Sequence, residues 1–109
     1  MENVYGERSV FMKRNEIITL LKQHESEFRE AGVGALFLFG SIARDQGGDA
    51  SDVDLFFDLR RPQGFTLFDL VGLQERMQDV LGAKVDLMTR SGIHPRRRAQ
   101  IEGAAVRVF

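Results

Sequence analysis

Residues 39–59 read FGSIARDQGGDASDVDLFFDL. The apolar run that leads into this stretch, ALFLF at 35–39, is short and flanked by glycines, which predicts a strand buried on both faces. Gly40 ends the run, and Ser41 is placed to cap a short helix, SIARDQ, that Gly47 and Gly48 break. DVDLFFDL, residues 52–59, alternates at its start and predicts a second strand. Asp52 and Asp54 stand two apart at its head, so their carboxylates share one face while Val53, Leu55 and Phe57 turn to the core.

Two carboxylates held on one face repel and raise each other's proton affinity. A divalent cation removes the repulsion. Hard oxygen donors in a chain without cysteine suit Mg²⁺ or Mn²⁺. Taken alone, an Asp-x-Asp pair also reads as two solvated charges at a strand start. Gly40-Ser41 adds what a phosphate needs: close backbone approach, a hydroxyl, and a helix N-terminus over Ile42–Arg44, with Arg44 one turn on. Taken alone, it too reads as a turn glycine and a capping serine. Asp86 lies in AKVDLM, residues 83–88, a predicted third strand on which it opposes Val85 and Leu87. If that strand neighbours 52–59, Asp86 joins the same face, and three carboxylates can hold two cations for in-line displacement at phosphorus. Otherwise Asp86 is an edge charge or a partner of Lys84 or Arg90.

Outward from these strands the chain alternates in type. Residues 1–10 are polar and aperiodic and read as a loose arm, leaving 11–109 as one domain. Ile17, Leu20, Leu21, His24, Phe28 and Ala31 recur at helical steps over 11–31, with Gly32 and Gly34 as breakers. Thr66 and Asp69 form a capping-box variant that opens a second long helix, whose predicted apolar stripe is Leu67, Leu70, Val71, Met77 and Leu81, ended by Gly82. Ser91–Glu102 reads as a short helix with Pro95 in its first turn, and AAVRVF as a final strand. The order α-β-α-β-α-β-α-β predicts an α/β fold: a small mixed sheet, helices mainly on one face, and carboxylates on one edge of the opposite face.

Composition narrows the function classes. A net charge of −1 over 109 residues argues against direct nucleic-acid binding, and Arg96-Arg97-Arg98 is the one strong basic cluster, read equally as a phosphate or acidic-partner contact and as a solvated helix face. The absence of cysteine, of an apolar leader and of any membrane-length run predicts a cytoplasmic protein. Phe56, Phe57, Phe65 and Phe68 can belong to the core, but so short a chain can leave some of them uncovered, and any left exposed would mark a partner surface. His24 reads as a core or boundary residue and His94 as a solvated loop residue.

Gly40-Ser41, a spacer of about ten residues, Asp52-x-Asp54 on a strand and Asp86 on a later strand together resemble the polymerase-beta-type nucleotidyltransferase superfamily. The closer resemblance is to the minimal nucleotidyltransferases, the MNT proteins, carried by GSIARDQ, SDVDL and the segment FTLFDLVGLQERMQDVLGAKVDLMT. It extends over residues 11–105, with Asp45 standing where the family usually has glycine. The resemblance implies Asp52, Asp54 and Asp86 as catalytic metal ligands, Gly40, Ser41, Arg44 and Ser51 as the nucleotide-binding set, Mg²⁺ or Mn²⁺ as cofactor, and ATP as substrate. It also implies an antitoxin beside a HEPN-domain ribonuclease toxin, acting by transfer of AMP to a toxin tyrosine or by binding alone. A third reading is a transferase for a small molecule such as an aminoglycoside, for which a homodimer would complete the acceptor pocket.

Overall fold

The computed structural model describes residues 13–43 and 52–109. The elements are α1 (Arg14–Gln23), α2 (Glu25–Glu30), β1 (Val33–Phe39), α3 (Gly40–Ala43), β2 (Val53–Leu59), α4 (Leu67–Leu81), β3 (Val85–Thr89), a 3-10 turn (Arg90–Gly92), α5 (Pro95–Ala104) and β4 (Val106–Arg107). The strands form one sheet in the order β3-β2-β1-β4. β2 and β3 are parallel, joined over α4, whereas β1 runs antiparallel to both β2 and β4. The mixed α/β sheet expected from the sequence is therefore present. The expected arm at 1–10 and residues 44–51, including Arg44, Asp45, Gly47, Gly48 and Ser51, lie outside the described residues.

Alternation along β2 divides the core in two. Val53, Leu55 and Phe57 face α1, α2 and α4 together with Leu36, Leu38, Val85 and Leu87, and meet Ile17, Leu21, Phe28, Leu73, Met77 and Leu81. Phe56 faces the other way and packs with Phe39, Ile93 and Ile101, with Phe37, Met88 and Ala105 at the margin. Among the described residues α1, α2 and α4 cover one face and α5 covers the other, as the pattern of helices mainly on one face predicts. Arg90 holds this second layer. Its Nε and Nη2 donate to Asp58 Oδ1 and Oδ2 at 2.7 and 3.0 Å, and its Nη1 donates to Glu102 Oε2 at 2.8 Å. Its guanidinium lies 4.9 and 5.0 Å from the ring centroids of Phe37 and Phe56. These partners rule out the alternative in which Arg90 pairs with Asp86.

Two expectations need correction. The helix predicted over 11–31 is divided at His24, which takes φ −111° and donates its backbone N–H back to Leu21 at 3.1 Å, so α2 starts afresh. The apolar stripe predicted for α4 is also misplaced. Met77 and Leu81 are buried with Leu73, but Leu67 and Val71 are exposed, and Phe68 most of all at 88%. The reason lies at the sheet edge. The side chains of Gln78 and Gln74 accept hydrogen bonds from Val85 and Leu87 N–H at 3.1 and 3.2 Å, so polar residues occupy the flank of α4 along β3. Leu67 and Val71 are in phase with those glutamines, seven residues earlier, where the helix runs past the end of β3 at Thr89. The ends of α4 follow the sequence: Asp69 N–H donates to Thr66 Oγ1 at 3.3 Å, Thr66 N–H to Asp69 Oδ2 at 2.8 Å, and Gly82 closes the helix at φ 64°.

Candidate active site

The sheet register decides where the carboxylates meet. β2 and β3 pair so that Asp54 is the direct partner of Asp86, one place beyond Val53 and Val85. Parallel strands lie about 4.8 Å apart and matched positions share a face, so these two carboxylates project side by side. The condition on which Asp86 joined the Asp52/Asp54 face is met. Val53 N–H donates to Lys84 O at 2.9 Å, which fixes the start of β2, and Asp52 stands exposed immediately before it. Asp86 is exposed as well, whereas Asp54 is half-buried.

Burial is the largest influence on Asp54. It raises the carboxyl above its usual 3.8, and the charges of Asp86 and then Asp52 raise it further, to about 6, against the opposing pull of Arg97. The site thus gathers oxygen donors only, one of them desolvated, and the other two raise Asp54's hold on a proton. Among the described residues no three such side chains are gathered around a common point as they stand. The donor chemistry nevertheless fits a hard divalent cation, and two of the three carboxylates are exposed.

Gly40 completes the edge. In β1–β2 pairing Phe39 lies opposite Asp54, and Gly40 follows at φ 79°. A Cβ at this position would overlap the Asp54 carboxylate, so glycine is required both by the backbone conformation and by the close approach. Ser41, half-buried, lies within α3 and not at the capping position before it. Ile42 and Ala43 are buried in the main core, and Arg14 Nη1 donates to Ala43 O at 3.0 Å, so α1 secures the turn. Arg14 sits on the polar side of its helical pattern, and no sequence signal marks that role. Arg44 and Ser51, the remaining expected nucleotide ligands, lie outside the described residues.

The basic cluster resolves into three different residues. Arg96 N–H donates to His94 Nδ1 at 3.1 Å, so His94, exposed before the helix as expected, also caps α5. Arg98 Nε donates to Glu102 at 3.2 Å. Arg97 is the member whose charge acts on Asp54. Among the described residues two surface hollows lie away from the carboxylates: one of about 420 Å³ is lined by Phe28, Phe68, Leu73 and Arg76, and one of about 280 Å³ by Arg29, Arg60, Arg61 and Phe65. The second adjoins Gly32 and Arg60, at the opposite end of β1 and β2 from the carboxylates.

A sheet that brings Asp-x-Asp beside a third aspartate, with a glycine packed onto the central carboxylate, defines the nucleotidyltransferase class. Residues 19–108 match the nucleotidyltransferase domain family, and the chain belongs to that family. Within it, a Methanocaldococcus jannaschii protein provisionally named a protein adenylyltransferase is 35% identical over 96 residues, covering 88% of this chain and 94% of the relative. Protein adenylyltransferase MntA of Thermococcus cleftensis is 34% identical over 79 residues, covering 72% and 78%. Among solved structures, one assigned as a minimal nucleotidyltransferase superposes with a TM-score of 0.70 at 30% identity, covering 88% of this chain and 96% of that one. The fold also matches, at 15% identity and a TM-score of 0.60, the complex of a tri-AMPylated Shewanella oneidensis HEPN toxin with its MNT antitoxin, over 84% and 71% of the two chains.

Proposed function

We propose that the chain is an antitoxin that transfers AMP from ATP to a hydroxyl, a tyrosine by preference, of a partner HEPN ribonuclease toxin. The observation that carries this reading is the Asp54–Asp86 register pair with Gly40 packed against Asp54. Its support from relatives is the name protein adenylyltransferase, the complex of a tri-AMPylated HEPN toxin with an MNT antitoxin, and a toxin–antitoxin structure with AMP-PNP.

Asp52, Asp54 and Asp86 would hold Mg²⁺ or Mn²⁺, which supplies charge neutralisation at the triphosphate. Gly40 and Ser41, together with Arg44 and Ser51, bind the phosphates and orient the α-phosphorus. Asp86, exposed at the rim, takes the proton of the acceptor hydroxyl as its oxygen attacks the α-phosphorus. The bond from that phosphorus to the β-phosphate oxygen breaks, pyrophosphate leaves, and the acceptor keeps the adenylyl group. Positioning and charge compensation do most of this work. To test it, the protein is incubated with Mg²⁺, α-labelled ATP and the HEPN protein encoded beside it. Label is expected on the partner with wild type and none with Asp52→Asn/Asp54→Asn. An unlabelled partner with wild type overturns the reading.

A second reading, neutralisation by docking with the site idle, is favoured by one observation. Leu67, Phe68 and Val71 form an exposed apolar strip on α4, of the kind that marks a partner surface. If the double Asn variant still neutralises the toxin, docking suffices.

A further inference from the structure

The three consecutive arginines of α5 differ in what holds them. Arg98 is paired with Glu102, which Arg90 also grips. Arg96 has its backbone committed to the His94 cap. Arg97 lies four residues before Ile101, the buried residue that anchors α5 against Phe39 and Phe56, and so shares its inward side of the helix one turn nearer the N-terminus. There α5 packs on α3 and β1, the turn that carries Gly40 and Ser41. The charge of Arg97 reaches Asp54 across this junction, yet among the described residues its side chain forms no hydrogen bond or ion pair, and it is exposed. The first-turn amides of α5 do not supply an anion site, because Arg97 N–H donates to His94 O at 2.9 Å. Among the described residues, Arg97 is the α5 arginine whose charge reaches the carboxylate edge, and its guanidinium has no partner among them.

A cation held by the aspartates and a guanidinium beside them repel each other unless an anion lies between. The planar fork of arginine matches phosphate oxygens in geometry as well as charge. We propose that Arg97 is a phosphate-binding residue of the nucleotide site, gripping the triphosphate from α5 while Gly40 and Ser41 hold it from α3. This rests on the nucleotidyl-transfer reading above and adds a ligand that lies far outside the Gly-Ser to Asp-x-Asp stretch.

The test is equilibrium binding of a non-hydrolysable ATP analogue with Mg²⁺ to the full chain, alongside thermal unfolding and binding of Mn²⁺ alone. Arg97→Ala is expected to weaken analogue binding roughly ten- to hundredfold. Arg97→Lys should recover part of the loss, Arg96→Ala should bind as wild type does, and the unfolding temperature should not fall. If Arg97 serves only as a counter-charge to the carboxylates, Arg97→Ala will tighten Mn²⁺ and leave analogue affinity unchanged or stronger, and the proposal is overturned. Equal analogue affinity in wild type, Arg97→Ala and Arg97→Gln overturns it as well, while nucleotidyl transfer stands. A wild type that binds no analogue removes the nucleotidyl-transfer reading itself, and this proposal with it.

Discussion

At Asp54 folding opposes ionisation, and the proposed cation would favour it. Burial and two neighbouring carboxylates raise its pKa from 3.8 to about 6, so the folded chain favours the protonated acid. Its contribution to stability is fully present below pH about 4 and is lost as the pH rises through about 6. Asp54→Asn should therefore stabilise the metal-free protein at pH 7.5, by about 1 kcal/mol after allowance for the solvent that reaches the site. The gain should vanish near pH 4, and parallel urea titrations at the two pH values will show it. In wild type, the same proton competes with the cation, so Mn²⁺ affinity should rise between pH 5 and 7. An Asp54→Asn variant no more stable than wild type at pH 7.5 would show that the carboxylates do not strain one another. The sequence spaces Asp52 and Asp54 closely. The burial that makes Asp54 the costly member comes from Phe39 and Gly40 across the strand pair.

α4 shows how an element can be legible at its ends and obscure along its length. Its caps are local chemistry, Thr66 with Asp69 at one end and Gly82 at the other, and both are readable from residue type. Its buried face depends on what lies beside it. Gln74 and Gln78 look like solvent-facing residues in the sequence, but β3 leaves edge N–H groups that their side chains satisfy. Leu67 and Val71 look like core residues but extend past the strand that would have covered them. The two ends of α4 should therefore respond differently to truncation. Met77→Ala should cost about 2–5 kcal/mol, as a cavity in the main core does, and Phe68→Ser should stay within about 0.5 kcal/mol. Urea midpoints of the two variants provide the check, and a large loss on Phe68→Ser would mean that the strip is packed in solution.

For the molecule as a whole, the second layer is fastened through Arg90. It ties Asp58 on β2 to Glu102 on α5 and lies over Phe37 and Phe56, so one side chain joins a strand, a helix and the aromatic core beneath them. Its position governs where α5, and with it Arg97, stands relative to the carboxylates. Arg90→Lys keeps the charge and loses the fork. It should cost about 1–2 kcal/mol and loosen α5. Hydrogen exchange of α5 amides, with α4 amides as the internal reference, should show the loss confined to the second layer. Among the described residues no helix is long and apolar enough to cross a membrane. The sequence by itself determined the α/β alternation, the caps of α4, the close spacing of Asp52 and Asp54, and the glycine before Ser41, because each depends on residues a few positions apart. Tertiary structure alone decided that Asp86 stands beside Asp54, that α5 brings Arg97 to the same edge, and that Phe68 faces outward. Those placements depend on strand order, on register and on where a strand ends, which no local pattern encodes.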